Sequence, residues 1–186
     1  MLVAPVKLRM VGRGLSRMCP SHDEGGADME IRLAAERDLP ALVALLRRSW
    51  LTTWAPELRF ETVQRFAATD PARLYAESKW REFRVADESG SVVGMCHVQG
   101  NCINAIHLEP KCKRRGIGSM LMDEAEQRIG ADHPEAILEV RSFNTDAIAF
   151  YRRRGWTARR FYQDTELGET VETIEMTKTV STQKII

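Results

Sequence analysis

The hydrophobic and polar residues of this chain alternate between helix-like and strand-like patterns from residue 29 onward. The clearest helical stripe follows Asp38, a residue type that caps helices. A second stripe follows Gly116. Since strand and helix patterns succeed one another without an internal repeat, we predict an α/β domain. The two stripes consist of Leu39, Leu42, Val43, Leu46 and Trp50, and of Ile117, Leu121, Ala125 and Ile129.

Several other segments have the composition and alternation of β-strands. Three consecutive ones, 82–86, 91–99 and 102–108, are separated by short turns, which predicts an antiparallel meander. Weaker helical patterns predict further helices over 60–79 and 146–154. The last two strands of the chain are expected to pair antiparallel. The remaining predicted strands cover residues 29–34, 136–141, 156–164 and 170–180.

The length and composition of the chain indicate one domain. With 186 residues, of which 44% are hydrophobic, the chain can fill one core of ordinary size. We expect the domain to cover residues 29–180, with a short tail at 181–186. Residues 1–28 are basic before Asp23 and are interrupted by glycine and proline. We interpret them as a disordered tail or as translation from an upstream start codon, with a targeting peptide as the alternative.

Charge and cysteine content argue against several classes of protein. Lys and Arg number 27 against 26 Asp and Glu, so no overall field would hold nucleic acid or an anionic membrane. The most apolar stretch, 39–46, is much shorter than a membrane-spanning helix of roughly 20 residues. The four cysteines lack the paired spacing of zinc or redox sites. We therefore expect free thiols, no metal site and a cytoplasmic protein.

A basic, glycine-containing segment between a predicted strand and a predicted helix is the best candidate for a binding site. Residues 110–119 read PKCKRRGIGS. Gly116 and Gly118 would let the backbone approach a ligand, and the N–H groups of a first helical turn lack intrahelical partners. Because a helix N-terminus favours anions and three cationic residues precede this one, we predict a pyrophosphate site. The alternative is a strand-to-helix turn with solvated basic residues.

Two sequence blocks make this chain similar to the GNAT superfamily of N-acetyltransferases. The first, from Lys113 to Gly118, resembles the Q/R-x-x-G-x-G/A signature, although Lys113 replaces the usual Gln or Arg and Arg114 replaces a frequent glycine. The second, 138–156, resembles the L-x-V-x-x-x-N-x-x-A-x-x-x-Y-x-x-x-G-F/W segment, most closely that of the ribosomal-protein alanine acetyltransferases. The resemblance implies the GNAT fold, a mixed, mostly antiparallel sheet of about seven strands flanked by about four helices.

The resemblance also implies acetyl-coenzyme A as the cosubstrate, bound where the strands 102–108 and 136–141 diverge. Backbone groups around Ile106 and Leu108 would pair with the pantetheine, and an N–H there would polarise the thioester carbonyl. Asn144 would bridge a pantetheine oxygen, with a helix cap as its alternative role. The pyrophosphate would lie on Lys113, Arg114, Arg115, Gly116, Ile117, Gly118 and Ser119.

The resemblance implies catalytic roles for two further residues. Glu139, a carboxylate within an apolar strand, corresponds to the general base that deprotonates the acceptor amine. Its alternative is a surface ion pair with Arg141, and His107 and Glu109 are reserve bases. Tyr151 corresponds to the acid that protonates the departing thiolate, with a core aromatic as its alternative role. Since no Cys-His-Asp arrangement indicates an acyl-enzyme, we expect direct attack in a ternary complex.

The sequence does not identify the acceptor. We expect a primary amine of a small molecule; the alternatives are a protein or peptide N-terminus and a non-catalytic acyl-CoA-binding sensor, which the presence of both Glu139 and Tyr151 disfavours. By resemblance, specificity belongs to the first helical region and the last hairpin. That hairpin is acidic from Asp164 to Glu175, and these charges either attract a cationic acceptor or solvate a sheet edge. A homodimer is left open.

Overall fold

Residues 28–180 are described by a computed structural model, and their strands form one seven-stranded sheet. The strands are Met29–Leu33 (β1), Phe83–Glu88 (β2), Ser91–Gln99 (β3), Cys102–Leu108 (β4), Glu135–Arg141 (β5), Thr157–Glu166 (β6) and Glu169–Thr179 (β7). They lie in the order β1-β2-β3-β4-β5-β7-β6, and within this sheet only β4 and β5 pair in parallel. The predicted GNAT-type sheet is confirmed. The predictions for 1–28 and 181–186 lie, apart from Asp28, outside the described residues.

The α-helices within residues 28–180 number five, one more than predicted. The segment 60–79 is divided at Asp70, whose backbone is left-handed with φ 45° and ψ 56°. The break occurs because Pro71 has no N–H to donate and disfavours helical backbone in the residue before it. The five helices are Leu39–Thr53 (α1), Phe60–Thr69 (α2), Pro71–Lys79 (α3), Ile117–Gly130 (α4) and Thr145–Arg153 (α5).

Asp38 occupies the predicted N-cap position of α1, but its side chain does not make the capping hydrogen bond. The Asp38 carboxylate makes no bond to the first turn of α1. It accepts hydrogen bonds at 2.7 Å from the backbone N–H of Ala35 and from the guanidinium of Arg32 in β1. The hydrogen bond from Arg32 holds the pKa of Asp38 below its usual value. Asp38 therefore attaches the start of α1 to the edge strand.

The sheet carries a hydrophobic core on each of its two faces. Helices α1, α2 and α3 cover one face, here called the α1 face, and helices α4 and α5 cover the opposite α4 face. Because successive strand residues point to opposite faces, Leu138 and Val140 of β5 enter the core of the α4 face while Glu139 points to the α1 face. The same holds in β7, where Ile174 and Met176 belong to the core of the α4 face.

The parallel pair β4–β5 is unusually short. Cys102 pairs with Ile137 and Ile103 with Leu138, and there the described pairing ends. The register between β3 and β4 shifts beside Asn104, which has no partner residue on β3. Such a bulge bends its strand, so β4 diverges from β5 after Ile103. We call the space between residues 104–108 of β4 and 139–141 of β5 the interstrand opening; it agrees with the divergence expected from the resemblance.

Candidate active site

The loop that connects β4 to α4 contains two residues with left-handed backbone. Arg114 has φ 63° and Gly116 has φ 83°. A Cβ added to Gly116 would meet no atom within 4 Å, so the glycine is required by its backbone conformation and not by lack of space. Gly118 differs, because an added Cβ would lie 3.3 Å from Leu108 Cδ1. Gly118 therefore allows the first turn of α4 to pack closely on β4.

The cations of this loop are not equivalent. Lys113 and Arg114 are exposed and have no ion-pair partner among residues 28–180. Arg115 instead binds the carboxylate of Glu88 at the end of β2, and its guanidinium lies 3.6 Å from Cys112 Sγ. The role of Arg115 in attracting a polyphosphate stays a prediction, and its charge is shared with Glu88. Two exposed cations beside the first turn of α4 still fit a pyrophosphate group. That turn contains Ile117, which is buried, and Gly118 and Ser119, which are half-buried.

The predicted pantetheine residues lie along the interstrand opening. Ile106 and Leu108 belong to the diverging part of β4 and pack against the core of the α4 face. Asn144 occupies the N-cap of α5, where its Oδ1 accepts the backbone N–H of Ala147 at 3.3 Å. The capping role is therefore confirmed. The amide nitrogen of Asn144 makes no hydrogen bond within residues 28–180 and can still donate to a ligand.

Glu139 is the first residue of β5 beyond its pairing with β4, and its side chain is exposed. The alternative ion pair with Arg141 is wrong, because Arg141 binds Asp164 at 2.6 Å and Glu166 at 3.3 Å. The neighbour of Glu139 is Tyr162 of β6. Burial, followed by the hydrogen bond to Glu139 and its charge, raises the pKa of Tyr162. Tyr162 was missed in the sequence because strand alternation does not reveal which strands become neighbours.

Tyr151 lies in the core of the α4 face and is 7% exposed. Its ring centroid is 5.5 Å from that of Phe150 and 6.3 Å from that of Trp156. Burial raises the pKa of Tyr151, which keeps the phenol protonated at neutral pH. No residue in the described part of the chain hydrogen-bonds to its hydroxyl. Tyr151 is thus a core aromatic whose hydroxyl retains its full capacity to donate.

The two reserve bases, His107 and Glu109, both contact side chains of α1. His107 Nδ1 lies 2.9 Å from Ser49 Oγ, and burial lowers the pKa of His107 to about 4. The imidazole is therefore neutral at pH 7, but so weak a base is poorly matched to an ammonium proton. Glu109 is 7% exposed and binds Arg48. Both arrangements favour Glu139 as the base.

The acidic residues of the last hairpin mostly bind their own chain. Glu169, for example, accepts hydrogen bonds from the backbone N–H of Arg59 at 3.0 Å and from Thr62 Oγ1 at 2.6 Å. Glu166 also accepts one from Trp50 Nε1 at 3.2 Å. Three of the five carboxylates thus fasten the hairpin to neighbouring elements, and Glu175 binds Arg159 and Arg160 within the hairpin. Only Glu172 is exposed and unpaired within residues 28–180. The bound four are Asp164, Glu166, Glu169 and Glu175.

Other predicted features concern metals, thiols and membranes. Within residues 28–180, no three His, Cys, Asp or Glu side chains are arranged to hold a metal ion. Cys96, Cys102 and Cys112 are free thiols, whereas Cys19 lies outside that range. No helix of the described residues is long and apolar enough to cross a membrane. The expected absence of nucleic-acid partners and the open question of a homodimer stay predictions.

Comparison with known proteins defines the class to which this fold and site belong. The sequence profile of the acetyltransferase (GNAT) family matches residues 39–156. The chain therefore belongs to the GNAT family of acetyltransferases. It is 33% identical over 129 residues to the peptidyl-lysine N-acetyltransferase YiaC of Escherichia coli strain K12. That alignment covers 68% of this chain and 82% of YiaC.

Solved structures share the fold at lower sequence identity. The PaiA N-acetyltransferase of Thermoplasma acidophilum in complex with coenzyme A aligns with a TM-score of 0.62 and 23% identity, covering 82% of this chain and 99% of that one. The ribosomal-protein-S18-alanine N-acetyltransferase of Escherichia coli aligns with a TM-score of 0.60 and 21% identity, covering 83% and 95%. At these identities the likeness concerns the fold.

Replacing Arg114 by glycine tests the backbone of the loop that connects β4 to α4. Because left-handed backbone is costly for a residue with a Cβ, we expect Arg114→Gly to raise the free energy of unfolding by about 1 kcal/mol. The loss of an exposed cation should at the same time weaken acetyl-CoA binding several-fold. Urea unfolding and calorimetry measure the two effects. Arg114→Lys, which keeps both charge and strain, should change neither; a stability gain in that variant would contradict the explanation.

The buried histidine predicts a pH dependence of stability. Since the pKa of His107 in the folded protein, about 4, lies below the ordinary 6.5, the unfolded chain binds the proton first as pH falls. The stability that neutral His107 contributes is present above pH 6.5 and is lost towards pH 4, on the order of 2 to 3 kcal/mol. Urea unfolding between pH 7 and pH 4 should show a shallower decline for His107→Gln. Equal slopes would exclude this assignment.

Proposed function

We propose that this chain transfers the acetyl group of acetyl-CoA to a primary amine by direct attack in a ternary complex. The observation that carries the proposal is the interstrand opening, where β4 leaves β5 after two residue pairs beside the start of α4. Its free backbone edge suits an extended pantetheine, and the first turn of α4 suits a pyrophosphate. The GNAT family match supports acetyl-CoA as the group that lies there.

Glu139 is the proposed general base. An alkylamine with a pKa near 10 arrives protonated at neutral pH and must lose a proton before it can attack. The Glu139 carboxylate is exposed on the α1 face beside the interstrand opening, and Tyr162 of β6 is its neighbour. It takes the ammonium proton directly or through a water. The amine nitrogen then forms a bond with the thioester carbon.

Tyr151 is the proposed acid. As the carbon–sulfur bond breaks, its hydroxyl donates a proton to the sulfur, which leaves as the thiol. The nitrogen loses its second proton to solvent as the amide forms, and the phenolate takes a proton back from solvent. The high pKa of the buried phenol means that it is always protonated when the sulfur departs. Tyr151 belongs to the α4 face and Glu139 to the α1 face, so acid and base act from opposite sides of the sheet.

The cysteines support direct attack over a covalent acyl-enzyme. Cys112 is 2% exposed beneath the phosphate loop. Burial, and next the charges of Glu139 and Glu175, raise the pKa of Cys102 to about 11. Burial therefore keeps Cys112 away from a thioester, and the raised pKa of Cys102 leaves little thiolate at neutral pH. Free thiols also support a reducing, cytoplasmic location.

A small-molecule amine remains the first proposed acceptor, and a specific observation adds a second. YiaC, the 33% identical relative, is a peptidyl-lysine N-acetyltransferase, so the ε-amine of a lysine residue is the second candidate. Measuring coenzyme A release with polyamines, amino acids, aminoglycosides and lysine-containing peptides separates the two. Release that none of these amines stimulates would contradict the proposed function.

Glu139→Gln tests the base. We expect turnover to fall by about 10²-fold at pH 7, because the variant cannot take the ammonium proton. The deficit should shrink at high pH, where more of the amine is already neutral. Steady-state turnover across pH 6 to 10 measures both effects. His107→Gln is the control and should keep the wild-type profile. A loss of turnover of the same size at every pH would show that Glu139 has a role other than proton removal.

Tyr151→Phe tests the acid, with Tyr75→Phe as a matched control. The Tyr151 hydroxyl has no partner in the described residues, so its removal should leave stability unchanged while turnover falls by about 10²-fold. Tyr75, a partly buried tyrosine, packs against the α1-face core, and its hydroxyl lies 2.6 Å from His97 Nδ1. Its loss should cost about 1 kcal/mol of stability and spare turnover. Thermal unfolding and turnover are measured on the same preparations, and unchanged turnover in Tyr151→Phe would show that Tyr151 only packs.

A further inference from the structure

The strand β6 forms one edge of the sheet, and within residues 28–180 no other strand pairs with its outer side. It is ten residues long, and most of its side chains are exposed. The opposite edge strand, β1, has only five residues. A short edge strand is one way in which proteins avoid pairing with other chains, and β6 lacks this protection. Its outer side therefore offers a row of backbone N–H and C=O groups to an added strand.

The part of β6 from Arg160 to Glu166 is regular along its whole length. It pairs with β7 residue for residue over this segment. The register shift in the pairing of β6 with β7 lies before Arg160, and the segment 160–166 contains no proline or glycine. Because bulges and prolines are devices that disrupt an edge, the absence of both leaves this segment able to accept a partner strand.

The same segment exposes a large aromatic side chain. Phe161 is 59% exposed, although it lies opposite Ile174 of β7, a core residue of the α4 face. The apolar surface of the α4 face thus continues to the edge of the sheet. A single exposed apolar residue is common in proteins. Beside a free strand edge, however, Phe161 adds apolar area to any contact that forms there.

The charges of the segment change sign along the strand. Arg160 stands at its start, and Asp164 and Glu166 stand near its end. Arg160 and Asp164 point to the same face of the sheet, because they lie four residues apart in a regular strand. They bind Glu175 and Arg141 of their own chain, but the Arg160 side chain is exposed and that of Asp164 is half-buried. A second copy of β6 that runs antiparallel would therefore bring unlike charges together.

We propose that the segment 160–166 of β6 is an interface between two copies of this chain, which pair antiparallel about a two-fold axis at Tyr162. Arg160 of each copy then lies opposite Asp164 of the other, so the pair of unlike charges occurs twice in one dimer. Tyr162 lies opposite Tyr162 of the other copy. The two Phe161 side chains lie diagonally across the axis, within the reach of aromatic residues.

The charge pattern distinguishes this arrangement from a parallel one. A parallel pair in register would put Arg160 against Arg160 and Asp164 against Asp164, and like charges directly opposite one another destabilise a sheet. The antiparallel dimer is also closed, because it joins the two seven-stranded sheets at β6 and leaves neither copy with a free β6 edge.

Sedimentation equilibrium of the full chain tests the association directly. The measurement needs neither acetyl-CoA nor an acceptor, so its result is independent of the proposed function. Between about 1 μM and about 100 μM protein, we expect the mass to rise from 21.1 kDa towards twice that value. A monomer throughout this range would overturn the inference.

Phe161→Ser tests whether β6 is the interface. We expect the Kd of the dimer to rise several-fold, because apolar area at the contact is lost. Phe60→Ser is the matched control, since it removes an aromatic side chain that is 70% exposed on α2, and it should leave the Kd unchanged. Equal effects of the two variants, or no effect of Phe161→Ser, would place the interface elsewhere and overturn the inference.

Charge reversal tests the proposed register. Arg160→Glu alone and Asp164→Arg alone each create two pairs of like charges across the axis, so each should raise the Kd at least tenfold. A mixture of the two variants should form dimers again, because the new glutamate of one copy faces the new arginine of the other and both cross-strand pairs again join unlike charges. Thermal unfolding checks that each variant is folded. A mixture of folded variants that stays monomeric would overturn the proposed axis.

A control for net charge completes this experiment. Arg37→Glu makes the same charge change at an exposed residue between β1 and α1, at the opposite edge of the sheet, and should leave the Kd unchanged. If Arg37→Glu weakened the dimer as much as Arg160→Glu does, the overall charge of the protein would explain the effect, and the pairing of Arg160 with Asp164 would be contradicted.

Discussion

The short pairing of β4 with β5 is the constraint on which the rest of this structure depends. A parallel pair that ends after two residue pairs leaves backbone N–H and C=O groups without strand partners in the middle of a sheet. Such groups are costly when they are buried, so they require either water or a ligand. The bulge at Asn104 maintains the gap, because it turns β4 away from β5 instead of letting the two strands close.

Because the sheet has a gap between β4 and β5, the strands β5, β7 and β6 need other contacts to hold them in place. The strand β7 provides one, since it pairs with β5 along the whole length of β5. Arg141 provides another at the end of β5, where it binds Asp164 and Glu166 of β6 and lies 5.5 Å from the ring of Trp54, just after α1. The carboxylates of the β6–β7 hairpin therefore hold the hairpin against β5 and α1 beside the gap. Because most of these carboxylates make such contacts, they are not free in solvent.

The sequence predicted those features that depend on neighbouring residues. Strand β4 was predicted with the bounds it has, and α1 and α4 begin where predicted, because proline, glycine and helix-capping residue types limit them locally. The helix break at Asp70 was not predicted, although Pro71 indicates it. The partners of Arg115 and Arg141 could not be predicted, since Glu88 and Asp164 lie 27 and 23 residues away along the chain. Those contacts, like the position of Glu139 opposite Glu175 in the sheet, depend on the order of the strands, which alternation does not encode.

The two faces of the sheet also create different environments for proton transfer. On the α4 face, burial keeps the Tyr151 phenol neutral and surrounds it with apolar side chains. Around Glu139 on the α1 face, outside the core that α1, α2 and α3 cover, charged side chains are frequent and Glu139 remains open to solvent. An ammonium ion would lose its hydration in the first environment and keep favourable partners in the second. The acceptor should therefore approach from the α1 face, and the thiol should leave towards the α4 face. In the proposed mechanism, attack on the thioester takes place in the interstrand opening, between these two environments.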